Sequence, residues 1–361
     1  MTKDAGILRR EAIELLQQLI AIPSFSTGED GTAMAIENWF KKQGIPCKRQ
    51  KNNVYAFNKY FEEGKPTLLL NSHHDTVTPN DAYTRDPFMP QIENGKLFGL
   101  GSNDAGGCLV SLLSTFVYFY ALEELSHNIV IVASAEEENS GPNGLNSMLK
   151  LLPEIDVAIV GEPTQMQLAI AEKGLVVFDA VVSGTPSHAA HPNDNNAIYN
   201  TIAVLEWFRD YTFEKVSPVL GHVKLTVTQV NGGSQHNVVP ARVNLVIDVR
   251  VNDCYTNREI ADLLQQQAPC QISPRSLRLN SSSIPEAHPL VQSGIDLGRK
   301  TYGSPTLSDQ ASLSCQSLKL GPGDSTRSHS ADEFIYLHEI EEGVNLYIEL
   351  LRGFLSDKKR E

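Results

Sequence analysis

Apolar, strand-like runs that end in acid or histidine recur along this chain, and that pairing restricts the fold more than any other feature of the sequence. Thr67-Leu68-Leu69-Leu70 leads into His73-His74-Asp75. The run 128–135 leads into Glu136-Glu137-Glu138, and the run 156–161 into Glu162 of Gly-Glu-Pro-Thr. Continuous apolar strands are buried on both faces, as in a sheet covered by helices on each side. Helical spacing over 104–122 and 144–152 separates the runs. That alternation predicts an α/β fold: a mixed, mostly parallel sheet with helices on both faces. Such a sheet gathers its ligands at the carboxyl ends of the strands.

Two further islands complete the set, Asn103-Asp104 after Gly99-Leu100-Gly101-Ser102 and His329 in Ser-His-Ser-Ala-Asp-Glu. Each island has a bland reading. His73-His74-Asp75 could be a polar strand end. Side chains repeat every two residues in a strand, however, so His73 and Asp75 share a face. Asp75 can then fix the tautomer of a ligand histidine from behind, while His74 points away as a bystander. Asp104 alone reads as a helix N-cap. The glycines before it fit neither G-x-G-x-x-G nor a P-loop, and an acid there would repel phosphate. The glutamate triplet could be a solvated turn, but adjacent carboxylates repel unless a cation sits among them. Strand parity places Glu137 opposite Glu136 and Glu138.

Taken jointly, the islands supply what two divalent metals need. A bridging carboxylate, two terminal carboxylates and two imidazoles would serve two zinc ions, and with a bridging hydroxide the charges balance. Two metals about 3.5–4 Å apart are the usual arrangement for hydrolysis.

The pattern changes after Lys173. Strands over 176–183, 223–230 and 243–251 alternate with helices over 197–211 and 257–267, a compact α+β unit of plausible domain size. A Ser- and Pro-rich stretch, 269–285, reads as the return linker, followed by helices over 288–302 and 337–355. The expected organisation is a first catalytic segment, 1–173, an inserted domain, 174–280, and a second catalytic segment, 281–361.

The formal charge of −13 argues against nucleic acid or an anionic membrane surface as partner. The most apolar stretch, 108–122, is interrupted by Ser111, Ser114 and Thr115 and reads as a buried helix, not a membrane span. Five scattered cysteines without a CxxC suggest a reducing, cytoplasmic setting. Met1-Thr2-Lys3-Asp4 runs straight into a charged amphipathic helix over 8–20, so no signal peptide is expected.

The ordered series S-H-H-D-T-V, N-D-A-G-G, E-E-E-N, G-E-P-T, S-H-A-A-H-P and G-P-G…S-H-S-A-D-E resembles the dizinc amidohydrolase and exopeptidase family. That family includes acetylornithine deacetylase, succinyl-diaminopimelate desuccinylase, aminoacylase and the glutamate carboxypeptidases. The resemblance spans nearly the whole chain and implies two zinc ions, replaceable by cobalt, and a homodimer built through the inserted lid domain. It implies His73, Glu162, Glu138 and His329 as ligands, Asp104 as the bridge, Glu137 as general base and Asp75 as the carboxylate behind His73. Glu136 stands where Asp is more usual, so the base could be displaced by one residue. His188 resembles the histidine that reaches across the dimer to steady an oxyanion, with His191 a neighbour easily confused with it. Asn237 and Arg250 resemble the residues that grip a substrate carboxylate, although Arg250 alone reads as a surface charge. The implied substrate is a small N-acyl amino acid: N-acetylornithine first, with N-acetylcitrulline and N-succinylornithine close behind. A dipeptidase or carboxypeptidase is the alternative.

Overall fold

Leu8, Ala12, Leu15, Leu16, Leu19 and Ile20 form one buried stripe, which makes the first helix, α1 (Ala5–Ile20), amphipathic. Asp4 caps it by accepting from the N–H groups of Gly6 and Ile7. The structure is a computed structural model and describes residues 3–356. Met1 and Thr2, part of the reading of the N-terminus, and residues 357–361, the end of the expected second catalytic segment, lie outside the described residues.

The chain divides into two compact units, Met1–Ile170 with Ser283–Tyr302 and Ser308–Glu361, and Ala171–Ser282 with Gly303–Leu307. In the first unit, α1 is followed by α2 (Asp30–Lys42), β1 (Lys48–Gln50), β2 (Asn53–Phe57), β3 (Thr67–His73), β4 (Gln91–Glu93), β5 (Lys96–Phe98), α3 (Gly107–Phe119), β6 (Asn128–Ser134), α4 (Leu145–Met148) and β7 (Val157–Val160). β8 (Leu168–Glu172) leads into the second unit. There follow β9 (Gly174–Ser183), β10 (Ser187–His188), α5 (Ala197–Asp210), β11 (Lys224–Gly232), β12 (Val238–Val239), β13 (Arg242–Val251), α6 (Asn257–Gln267), β14 (Gln271–Pro274) and β15 (Ser282–Ser283). The chain returns through α7 (Pro289–Asp296), β16 (Thr301–Ser304), β17 (Gln316–Lys319), β18 (Phe334–Tyr336) and α8 (Leu337–Leu355).

The central sheet of the first unit runs β1-β2-β6-β3-β7-β17-β8. Its middle strands β6, β3, β7 and β17 are mutually parallel, and antiparallel pairs flank them. The continuous apolar runs are explained by two cores. Leu68, Leu70, Ile129 and Ile131 face α1, α2, α3 and α8, while Leu69, Val130, Val132 and Ala158 face the side closed by Leu145 and Met148. The expected α/β sheet buried on both faces is thus observed. The apolar stretch 108–122 becomes α3, packed against α1 and α8. Each large apolar side chain so buried contributes roughly 1.5–3 kcal/mol. Among the described residues, no helix is long and apolar enough to cross a membrane.

The second unit is a four-stranded antiparallel sheet, β11-β13-β9-β14, with a separate β10-β12 ribbon. Burial alternates along β9 and β13, and the inward set, including Phe178, Val176, Leu245 and Ile247, packs on Val204, Phe208, Ile260 and Leu264 of α5 and α6. Residues 271–274 pair with β9. Part of the expected linker is therefore an edge strand, paired along one side with β9.

Three helices differ from expectation. α3 begins at Gly107, not 104; α4 covers only Leu145–Met148; and α7 stops at Asp296. Gly298 follows α7 at φ 78°, where the chain leaves the helix for β16.

Candidate metal centre

Parallel register brings the islands together. His73 lies beside Ser134 across β3 and β6, and Asn71 lies beside Val160 across β3 and β7. The loops after β3, β6 and β7, which carry Asp75, the glutamate triplet and Glu162, therefore leave the sheet at one edge. β17 pairs in parallel with β7 and sends the chain on toward His329.

His73 is 1% exposed. Its Nδ1 donates to the backbone carbonyl of Asp75 at 3.0 Å, and the Asp75 carboxylate stands 3.4 Å away. The tautomer is therefore held by the carbonyl, with the carboxylate behind it. That leaves the Nε2 lone pair, which is buried and has no hydrogen-bond partner. It faces Asp104 Oδ1 at 3.4 Å, Glu137 Oε2 at 3.9 Å and Glu162 Oε1 at 3.9 Å. Those distances exceed a good hydrogen bond and leave room for a cation.

Two overlapping donor sets result: His73, Asp104 and Glu138, and His73, Glu137 and Glu162, the ligand atoms of each lying within 4.8 Å of one another. Asp104 turns its second oxygen, Oδ2, toward His329 Nε2 at 3.6 Å, and that nitrogen also lies 3.0 Å from Glu138 Oε2. Asp104 thus stands between the two imidazoles. Nitrogen and oxygen donors at these spacings suit zinc or a similar divalent ion. A buried lone pair aimed at carboxylates also asks for positive charge between them.

The electrostatics agree. Burial alone would lower His73, yet Asp104, Asp75, Glu137 and Glu162 together raise it well above its ordinary value. Burial pushes Glu137 well up; His73 opposes this, and repulsion from Glu162, Asp309 and Glu138 adds to it. Burial likewise pushes Glu162 up to about 8. These carboxylates crowd a buried space with too little positive charge, the deficit a divalent ion removes.

Strand parity fails at the glutamate triplet. Glu136 has φ 55°, which breaks the alternation. Its carboxylate turns back to accept from the backbone N–H and side-chain amide of Asn143 at 3.0 and 2.8 Å. Glu137 and Glu138 both reach the cluster, because their backbone N–H groups donate to the two oxygens of Asp75, each at 3.1 Å. Ser26 Oγ also donates to Asp75, at 2.7 Å. His74 points elsewhere, bonded to Thr32 Oγ1 at 2.8 Å and to the carbonyl of Asn52 at 2.9 Å.

Residues 102–106 form an irregular turn, not the start of a helix. Asp104 sits at φ −118°, ψ 99° and is not the cap of α3. Gly101 opens the turn at φ 73°, and a Cβ there would lie 2.5 Å from Thr76 Cγ2. Asn103 laces the turn to the return segment by exchanging 3.0 Å bonds with the backbone of Asp324.

Two acids here escaped the sequence reading. Glu333, 2% exposed, accepts from the backbone N–H groups of Gly101, Asn103 and Asp104. Asp309, buried, accepts from Ser134 Oγ at 2.5 Å, and burial pushes its carboxyl up to about 6. Glu333 stands inside the Ser-His-Ser-Ala-Asp-Glu motif, which was a signal; Asp309 had none.

His188, Asn237 and Arg250 belong to the second unit. His188 is exposed, pairs with Val238 across the β10-β12 ribbon, and its Nδ1 accepts from Ala190 N–H at 3.1 Å. The carbonyl of Asn237 accepts from Ala189 N–H at 3.0 Å, so these two expected residues are neighbours. His191 meets the His188 ring edge-on, with the centroids 5.8 Å apart. Arg250 Nε and Nη2 donate to the two carboxylate oxygens of Asp248, at 2.9 and 3.1 Å, so that edge of its fork is already paired.

An α/β sheet whose strand ends gather two overlapping donor sets around one histidine is the framework of a metal-dependent hydrolase. The chain belongs to the peptidase family M20/M25/M40, whose family model matches residues 69–353. It is a hydrolase of a family whose enzymes depend on metal and act on small molecules. It is 29% identical over 381 aligned residues to the acetylornithine deacetylase of Proteus mirabilis, covering 96% of this chain and 97% of that protein. It is 26% identical over 381 residues to the succinyl-diaminopimelate desuccinylase of Wolbachia pipientis subsp. Culex pipiens, covering 96% and 94%. The fold matches the M20 family metallo-carboxypeptidase Sso-CP2 from Sulfolobus solfataricus with a TM-score of 0.75 at 17% identity, over 95% of this chain and 99% of that one.

Proposed function

We propose that this protein hydrolyses the amide of an N-acyl amino acid, N-acetylornithine first, with two zinc ions. The observation that carries the reading is Asp104, whose two oxygens face His73 and His329 at 3.4 and 3.6 Å across a buried acidic cluster. His73 and Glu162, with Asp104 shared, would hold one ion or the other, and Glu138 and His329 the remainder. When bound, such ions lower the pKa of water and polarise a carbonyl.

The chain's own residues do the rest. Glu137, beside both His73 and Glu162, takes the proton of the attacking water and delivers it to the departing amine. Asp75 holds the backbone N–H of Glu137 and backs His73, so one carboxylate orients base and ligand together. His188 of a partner subunit steadies the oxyanion, and Asn237 with Arg250 receives the substrate carboxylate.

Two relatives are named for removing an acyl group from the nitrogen of a diamino acid, which favours that substrate class. The homodimer is supported by exposed Ile198, Tyr199 and Ile202 on α5 and by the exposed edge strand β11. All five cysteines are free, in keeping with a cytoplasmic setting.

The test is a panel of acetyl-, succinyl- and dipeptide substrates offered to the purified protein with zinc or cobalt. Release of ornithine from N-acetylornithine is expected. Cleavage of dipeptides alone would overturn the deacylase reading, and no hydrolysis at full metal occupancy would overturn the catalytic one.

A further inference from the structure

We infer that Glu333 is the positioning residue for Asp104 and, through it, for both metal positions; the inference rests on the dizinc reading above. The turn at 101–104 precedes α3, so its N–H groups have no helical carbonyl to meet. Buried backbone donors must find partners elsewhere. Glu333 supplies them from 229 residues further along the chain. One oxygen accepts from Asn103 and Asp104 at 2.8 and 2.9 Å, and the other accepts from Gly101 at 3.1 Å.

Two bonds to adjacent amides and a third to the start of the turn fix the backbone on which the Asp104 side chain stands. Its split between His73 and His329 follows from that placement. The same short segment brings His329, at φ 58°, to Glu138. Asp332, between them, fastens the segment to the backbone N–H groups of Thr84 and Arg85, each at 2.9 Å. Residues 329–333 therefore act as a clasp. One end offers a ligand nitrogen, the middle ties down the 84–85 loop, and the far end grips the turn that carries the shared carboxylate.

The clasp predicts that Glu333 sets metal affinity without touching metal. Supporting groups behind ligands typically change affinity by about 10- to 100-fold. The test is zinc stoichiometry and affinity, measured by chelator competition on the whole purified protein. Glu333→Gln keeps the size and one acceptor oxygen, but sets an amide donor against one of the N–H groups. It should bind zinc about 10- to 100-fold more weakly with unchanged far-ultraviolet circular dichroism. Asp156→Asn weakens a carboxylate-to-backbone bond outside the clasp, to the Thr67 N–H at the start of β3, and should keep zinc affinity close to wild type. Wild-type zinc affinity in Glu333→Gln, or an equal loss in Asp156→Asn, would overturn the inference. Should Glu333→Gln fail to fold, Glu333→Asp shortens the reach while keeping the charge. Weakened zinc binding there supports the clasp and unchanged binding overturns it. A wild-type protein that takes up fewer than two zinc ions would instead overturn the dizinc reading itself.

Discussion

Asp75 holds Glu137 by the backbone: the Glu137 N–H donates to Asp75 Oδ1 at 3.1 Å, while the other oxygen of Asp75 takes the Glu138 N–H at the same distance. The carboxylate expected behind His73 thus also shapes the turn that carries the proposed base and a proposed ligand. Asp75→Asn would set an amide donor against one of these N–H groups. Its zinc affinity and kcat should both fall, each by about 10- to 100-fold. Chelator competition and steady-state kinetics check the pair; a loss of kcat at unchanged zinc affinity would mean that Asp75 serves only the base.

The neighbouring glutamates separate cleanly. Glu137→Gln should keep its zinc and lose about 10²- to 10⁴-fold in kcat, the range of a general base. Glu136→Gln should keep most of its kcat, because Glu136 is spent on Asn143. It should lose about 1–2 kcal/mol of stability from that weakened pair. Kinetics and denaturant melts on both variants decide; near-wild-type turnover in Glu137→Gln would reject it as the base.

The strand ends could be read from sequence because the strands carrying them are buried on both faces and show as unbroken apolar runs. The reading failed where side-chain contacts beyond the strand pattern override it. Parity misplaced Glu137 because Glu136 adopts positive φ to reach Asn143. The helix was started too early at Asp104 because Glu333 takes the N–H groups that a helix start would otherwise leave to a local cap. Asp309 was invisible because its partner, Ser134, ends a strand 175 residues away. Of the second unit, the ribbon joining His188 to Asn237 leaves only short, weakly patterned strands in the sequence.

Metal removal should be read in stability as well as rate. A ligand that binds only the folded state at 100 times its Kd adds about 2.7 kcal/mol. Stripping the protein with a chelator should therefore lower its thermal midpoint, and zinc should restore it. A midpoint indifferent to chelator would contradict a cluster in which burial and mutual repulsion already push Glu137 and Glu162 upward.

His188→Ala should lower kcat with zinc content unchanged, since His188 lies in the second unit and the clustered donors His73, Asp104, Glu137, Glu138 and Glu162 in the first. Unchanged kinetics would remove it from the mechanism.

A pH effect on stability should arise outside the clustered donors, at the start of α7. His288 caps this helix by accepting the Leu290 N–H on Nδ1 at 3.1 Å, which requires a free lone pair. Its ring lies tilted 6.0 Å from that of Phe354, and His127 lies tilted 4.7 Å from the same ring. Burial lowers the His288 pKa below its ordinary 6.5. The folded state therefore resists protonation more than the unfolded chain does. The cap's contribution is complete at neutral pH and is lost as the pH falls through about 6.5 toward the depressed folded value, because the unfolded state takes up the proton first. Protonation would also place positive charge at the positive end of the helix dipole. Asn caps helices well and does not titrate. His288→Asn should match wild type near pH 7.5 and melt at a higher temperature than wild type near pH 5.5. Parallel pH–melting curves for the two proteins would show that the cap does not depend on the protonation of His288.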